Sequence, residues 1–426
     1  MAVSGPIPRR LLPDNATIAD DGRLSIGGCD LIDLAEQFGT PLFVYDEAHL
    51  RARCQEAVAA FGEGVAYASK AFLCVAMARL AHEEGMHIDV ATGGELHVAL
   101  AAGVPAERLV LHGNNKSTGE LRAAREAGVG RIVVDSFDEM ARLAALHAED
   151  GLVPKVLIRV TPGVEAHTHE FVRTGQVDSK FGFGVASGDA AAAVARATDS
   201  PAMELQGVHM HIGSQVFVAD FFHQAVQVVA PWVRELGLPE LSIGGGLGVA
   251  YVADEEAPTI TEWGTAVVEA ARDAGITARV LAEPGRSIVA QAAVTLYTVG
   301  TIKDIPDVRT YVSVDGGMSD NPRPVLYGSG YEAFLARAAD ADRPRTVTIV
   351  GKHCESGDVL VRGAQVPAGL AVDDILVTPV TGAYGHSMGS NYNKVLRPAV
   401  VFVADGQARE VVRRETLEDL LRNDVR

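Results

Sequence analysis

From about residue 64 to 285, short β-branched runs alternate with Ala- and Leu-rich stretches of helical period, the alternation repeating about every 20 to 45 residues. This is the pattern of a parallel α/β domain. The strand-like runs are Val65–Ala68, His87–Val90, Leu109–Leu111, Ile132–Val134, Val156–Val160, Leu205–Ile212, Leu241–Ile243 and Arg279–Ala282. Eight such units suit a (β/α)8 TIM-type barrel better than an open sheet. Between them, Ala76–Glu84, Gly94–Ala102, Thr118–Ala127 and Phe137–Ala148 favour helix, and Gly85, Gly103 and Gly128 supply helix stops.

Beyond residue 290 the pattern changes to β runs with turns and few helices, at Val294–Val299, Tyr311–Val314, Thr346–Val350 and Val400–Val403. A C-terminal β-rich domain, sandwich- or barrel-like, is therefore expected. The chain of 426 residues is long enough for this, since a barrel uses about 250. The expected division is an N-terminal segment, 1–45, packing with the β domain, a barrel over 46–295, and the β domain over 296–426.

With 55 acidic against 37 basic residues the net charge is -18, which argues against a nucleic-acid or anionic-membrane surface and for small-molecule partners. The N-terminal run MAVSGPIPRRLLPD lacks an apolar signal region, and no stretch approaches the roughly 18 apolar residues of a membrane span. A cytoplasmic chain is expected. Cys29, Cys54, Cys74 and Cys354 are scattered and form no CxxC pair, so neither a disulfide framework nor a zinc knuckle is indicated.

In a barrel the functional face is the C-terminal end of the strands. The first strand ends in Ser69-Lys70-Ala71, and a desolvated lysine there can become a nucleophilic amine. A solvated loop lysine is the plainer reading. Asp89, ending the second strand, could orient that amine or simply cap a helix. In the sixth, the period of two puts His209 and His211 on one face. They could be a metal pair, with His167 and His169 as further ligands, or one could stack on a flat ring. No carboxylate sits at ligand spacing beside them, which disfavours a metal.

The seventh strand runs into Gly244-Gly245-Gly246-Leu247-Gly248, whose bare amides could approach a phosphate where barrels customarily bind one. A Rossmann fingerprint would instead open the first βα unit of a doubly wound domain. The eighth ends in Glu283-Pro284-Gly285-Arg286, a carboxylate for a pyridinium N–H and an arginine for an anion. An amine, a ring-stacking imidazole, a phosphate cradle and a pyridinium partner are together the requirements of pyridoxal 5′-phosphate.

The sequence resembles the diaminopimelate decarboxylases of the alanine-racemase-like, fold-type III pyridoxal-phosphate enzymes over essentially its whole length. The marks are YASKAF, HIDVATGGEL, HGNNKS, GVEAHTHEF with SKFGFG, HMHIGSQ, GGGLG, EPGRS, SVDGGMSDNPRPVLYG, GKHCESGD and TGAYGHSMGSNYN. The resemblance implies that Lys70 holds the cofactor as a Schiff base and that Glu283 keeps the ring nitrogen protonated. It implies that His211 stacks on the ring, and that Ser214, Gly244, Gly245, Gly246, Gly285, Arg286 and Tyr384 surround the phosphate or reach the substrate beside it, with Asp89 near the amine. Cys354 and Glu355 would enter from the partner chain of a homodimer.

Cys354 is implied as the proton donor; a thiol, with an ordinary pKa of about 8.5, suits that task. A buried, inert cysteine is the commoner fate of a lone one. Diaminopimelate ends in an ammonium and a carboxylate together, so its site needs cations as well as an acid. Arg286, Arg323, Tyr327, Glu355 and Tyr384 provide that mixture. The expected reaction is decarboxylation of meso-diaminopimelate to L-lysine, the last step of lysine biosynthesis. One departure is Gly385-His386 after Tyr384, where many members have cysteine; altered packing near the phosphate is expected. The alternatives are a decarboxylase of the same fold acting on another amino acid, or a non-catalytic cofactor-binding barrel. The segment carrying Cys354 and Glu355 argues against the second.

Overall fold

The computed structural model describes residues 5–162 and 179–425. The chain forms two compact units: Arg53–Val249 with Ala257–Ser287, and Met1–Ala52 with Ala250–Glu256 and Ile288–Arg426.

The first unit is a barrel of eight parallel strands in chain order: Ala66–Ala68, His87–Val90, Leu109–Leu111, Arg131–Val134, Lys155–Thr161, Glu204–Met210, Glu240–Ser242 and Arg279–Leu281. The two ends of the row meet where Val65 bridges Ala282 and the Ala66 and Ala68 amides donate to the carbonyls of Ala282 and Pro284 at 2.8 and 3.0 Å. Ala66, Val110, Val133, Leu157 and Leu281, from five of the strands, converge in one buried cluster. Such short strands suffice because each presents inward residues to a shared layer. A further two-residue strand, Phe183–Gly184, adds to the fifth.

The helices start where the sequence offers caps. Ser117 and Glu120 form a reciprocal capping box before Thr118–Ala127, Thr259 and Glu262 another before Ile260–Asp273, and Ser136 accepts the Glu139 amide ahead of Phe137–Asp150. Caps of this kind set the length of each βα loop, and those loops carry the strand-end residues. Among the described residues no helix is long and apolar enough to cross a membrane.

The second unit is built on a mixed sheet with the strand path Val359–Val366, Arg345–Val350, Arg309–Val314, Ala293–Ile305, Leu42–Asp46, Ala399–Ala404 and Gln407–Val412. Ile375–Pro379 pairs with Ala293–Ile305, and Phe334–Leu335 with Ile375–Pro379. Leu42–Asp46 is buried throughout and lies between Ala293–Ile305, antiparallel, and Ala399–Ala404, parallel. The unit boundaries differ from the sequence division at 46, 295 and 296. The whole strand Ala293–Ile305 belongs to this sheet, and the Asp46 amide donates to the Ala292 carbonyl at 2.8 Å, so the sheet claims both flanks of the expected edges. Residues 250–256, read from sequence as barrel, also belong here, their Ala253 amide donating to Glu332 Oε1 at 3.0 Å.

Candidate active site

Glu283, just past the eighth barrel strand, is the hub of a buried cluster. Its Oε2 lies 3.0 Å from His209 Nε2, and its Oε1 accepts from Ser242 Oγ at 3.0 Å and pairs with His112 Nε2 at 3.3 Å. Asp89 Oδ1 stands 3.7 Å from the same His112 nitrogen, and the His112 and His209 rings meet edge to face at 4.9 Å. Burial would push the Glu283 carboxyl up, but His209 and His112 outweigh it and hold the group well below the usual carboxylate range. Burial opposes charge on His112 too, yet Asp89 and Glu283 raise its pKa. His209 is lowered by burial and stays neutral, so its Nε2–H donates to Glu283. Burial carries Asp89 up to about 6 against the pull of His112. The result is an anionic Glu283 held by one cationic and one neutral imidazole and a hydroxyl.

His112, His209 and Glu283 offer ligand atoms within 4.8 Å of one another. The sequence argument against a metal, that no carboxylate neighbours the histidines, therefore fails in three dimensions: the sixth strand pairs with the seventh and the seventh with the eighth, which brings Glu283 to His209 across 74 positions. His167 and His169 lie outside the described residues.

His211 lies just beyond the end of the sixth strand. Its Nδ1 accepts the Gly245 amide at 3.2 Å, and burial with Lys70 and Arg159 nearby drives its pKa well below the usual imidazole value. A neutral ring with Nδ1 already engaged leaves its flat face as the recognition surface. A Cβ at Gly245 would come within 2.2 Å of the Glu283 carbonyl oxygen, and at Gly246 (φ +114°) within 2.3 Å of the Gly213 oxygen. The glycines of this run, Gly244 included, are thus imposed by close backbone approach. Gly285 fits tightly against Ala68, its Cβ position 2.9 Å from the Ala68 oxygen, and Arg286 Nη2 donates to Ser214 Oγ at 2.9 Å.

Lys70 sits in a short 3₁₀ turn, Ser69–Ala71, after the first strand. It is exposed, not desolvated as the strand-end reading expected, because the strand stops at Ala68 and the turn carries the side chain past the packed layer. Its charge is felt by both Asp89 and His211.

The remaining predicted residues belong to the other unit. Arg323 opens the five-residue helix Arg323–Tyr327 and is buried; Nε donates to Tyr331 Oη and Nη2 to Ser329 Oγ, both at 3.0 Å. Its guanidinium lies 4.6 Å from the Tyr251 ring centre and 5.9 Å from that of Tyr327. Cys354 and Glu355 are exposed on a loop, where the Cys354 amide donates to Asn393 Oδ1 at 2.9 Å. The buried Asp358 carboxylate accepts the His353 amide at 2.9 Å and the Met318 amide at 2.7 Å, tying that loop to the SVDGGMSDN segment. Among the described residues no hydrogen bond or ion pair joins Cys354 or Glu355 to Arg323 or Tyr327. Tyr384 adopts φ +61°, uncommon for a non-glycine residue and a frequent mark of functional constraint. His386 packs edge-on against Phe43 at 5.8 Å, and burial lowers its pKa to about 4.

Sequence reasoning missed His112, Ser242, Arg159 and Tyr251. The strand-end rule would have reached His112 and Ser242, each at the close of a barrel strand. Arg159 was read only as part of a β run, although it is buried, stands 3.8 Å from Asp135 and acts on His112, His209 and His211.

A family profile, "Pyridoxal-dependent decarboxylase, pyridoxal binding domain", matches residues 47–290. Diaminopimelate decarboxylase of Mycobacterium tuberculosis is 49% identical over 437 residues, covering 97% of each chain, and that of Bacillus subtilis 47% identical over 420 residues, covering 95% of each. The chain belongs to the diaminopimelate decarboxylase family. The crystal structure of M. jannaschii diaminopimelate decarboxylase in complex with L-lysine superposes with a TM-score of 0.90 at 33% identity, covering 97% of this chain and 98% of that one. Membership in this family makes pyridoxal 5′-phosphate the cofactor, and the site fits it: a glycine run packed too closely on neighbouring backbone oxygens to carry side chains, an anionic carboxylate, and a neutral imidazole face.

Proposed function

We propose that this chain decarboxylates meso-diaminopimelate to L-lysine and CO2, the closing step of lysine biosynthesis, and that it does so as a cytoplasmic homodimer. The observation that carries the reading is the buried Glu283, kept anionic by His112, His209 and Ser242 beside a glycine cradle.

Bound pyridoxal 5′-phosphate supplies an electron sink for the pair left behind when the Cα–carboxylate bond breaks. The chain's residues supply the rest. The Lys70 amine anchors the cofactor, and anionic Glu283 receives its ring N–H. His211 offers a neutral face, held by the Gly245 amide, while the run Gly244, Gly245 and Gly246 lies beside the phosphate without side chains to obstruct it, and Ser214, Gly285, Arg286 and Tyr384 surround it. Asp89, sensed electrostatically by Lys70, orients the amine.

Cys354 gives its proton to the carbon that has lost CO2, so one carboxylate leaves and one proton arrives. At the distal end Arg323, Tyr327, Arg286 and Tyr384 face the carboxylate, and Glu355 the ammonium. The β-rich unit delivers Cys354 and Glu355 to a neighbouring subunit's barrel. CO2 release from meso-diaminopimelate, measured against lysine, ornithine and arginine, tests this: diaminopimelate should be strongly preferred, and a preference for ornithine would refute it.

A further inference from the structure

Arg323 is a buried arginine, 4% exposed, for which the described residues provide no carboxylate within ion-pairing distance. Three of the other four buried arginines face a carboxylate: Arg125 meets Asp150 at 2.5 Å, Arg343 meets Glu332 at 2.9 Å and Arg159 meets Asp135 at 3.8 Å; the fourth, Arg286, donates to Ser214 at the cofactor site. A desolvated cation without a counter-charge is costly, and fixing its orientation as well leaves it poised for an anion that arrives later.

The orientation is fixed on three sides. The Tyr331 hydroxyl takes Nε, the Ser329 hydroxyl takes Nη2, and the Tyr251 ring covers the guanidinium at 4.6 Å. Among the described residues Nη1 has no hydrogen bond. Tyr251 and Tyr331 also brace each other edge to face at 5.2 Å. Tyr251 comes from residues 250–256, the short stretch that leaves the barrel sequence. That stretch is pinned by the Tyr251 amide on Glu255 Oε2 at 2.8 Å and the Ala253 amide on Glu332 Oε1 at 3.0 Å.

We propose that Tyr331 and Tyr251, with Ser329, are positioning residues that aim the Nη1 edge of Arg323 at the substrate's distal carboxylate, and so set the preference for an amino-diacid over a simple diamine precursor. The inference rests on the reading of Arg323 as the distal-carboxylate group. Both tyrosines act through Arg323: the hydroxyl fixes its roll and the ring its tilt.

The product offers a direct probe. L-Lysine keeps the carboxylate that was distal to the reacting carbon, whereas cadaverine has the same chain and amines without it. In the holoenzyme, Tyr331→Phe should raise KM for meso-diaminopimelate and Ki for L-lysine about tenfold, with kcat and Ki for cadaverine within about twofold of the unaltered enzyme. Tyr251→Leu should give the same split, and Ser329→Ala, at a half-buried loop position, a smaller one that does not depend on repacking an aromatic. Equal changes for lysine and cadaverine, or no change for either, would overturn the proposal. Arg323→Met separates the two levels: if it too leaves lysine affinity intact, the reading of Arg323 fails. If it weakens lysine while the tyrosine and serine variants do not, only the positioning role fails.

Discussion

His209 Nε2 lies 3.0 Å from Glu283 Oε2, joining the sixth barrel strand to the residue two past the end of the eighth. Both groups are buried, and the contact makes sense only if the carboxylate keeps its charge against its surroundings. His112 and Ser242 supply what is missing.

Glu283→Gln removes that charge while keeping the shape. With the ring nitrogen no longer held protonated, kcat for CO2 release should fall by roughly 10²- to 10³-fold, a loss typical of deleting one preorganised electrostatic partner. Cofactor occupancy, read by visible absorbance, separates this from simple loss of binding. Undiminished turnover at full occupancy would contradict the role given to Glu283.

Cys354→Ala tests the proton donor. Because the side chain is exposed on its loop, its removal should leave the fold intact and cofactor binding unchanged. Turnover should drop by about 10²- to 10⁴-fold, the range for losing a general acid. A rate equal to that of the unaltered enzyme would assign the proton to another group.

Lys116, in the HGNNKS motif, is buried; its Nζ donates to Glu139 Oε1 at 2.8 Å and to the carbonyls of Gly113 and Val133, each at 2.7 Å. This pair has a structural task. Glu139→Gln should destabilise the protein by about 3–5 kcal/mol, because it strands a buried cation. Replacing both partners, Lys116→Met with Glu139→Leu, should cost less than the single change. Urea unfolding of the two variants decides it, and a larger loss in the double variant would rule the argument out.

Acid sensitivity should come in part from His87, at the start of the second barrel strand. Burial and the neighbouring Arg108, Arg131 and Arg279, only partly offset by Glu240, lower its pKa to about 4. In the unfolded chain an imidazole titrates near about 6.5, so between these values the unfolded state binds more protons. Stability is therefore lost as pH falls through that window. From pH 7 to 5 the group's share should be about 2 kcal/mol. His87→Gln should show a correspondingly smaller loss in denaturant midpoint over the same interval; an unchanged pH slope would refute it.

Much of the barrel and its site was legible because both rest on short-range rules. β-Branched runs gave the eight strands, and reading where each run stopped led to Asp89, His211, Gly244–Gly246 and Glu283. What could not be read was proximity across the barrel. His112 and Glu283 are separated by 171 positions, and no spacing rule pairs them (283 minus 112). The desolvation expected of Lys70 failed for a local reason: the strand stops at Ala68, where its run stops, and the 3₁₀ turn Ser69–Ala71 that follows leaves the lysine exposed. Tyr251 was hidden differently: it follows the glycine run so closely that nothing in the sequence marks its departure from the barrel.

That departure interrupts the barrel unit, as the barrel sequence itself interrupts the β-rich one, so neither unit is a continuous piece of chain. The polypeptide passes between them after Ala52, Val249, Glu256 and Ser287. The barrel cannot be excised by two cuts, and a fragment spanning 46–295 would carry off Tyr251 while leaving Arg323 behind. Modular exchange of either unit with a relative's would have to respect four junctions, one pair of them flanking only seven residues. The two halves are thus bound to vary together, and the short insert is the stitch that prevents their recombination as independent parts.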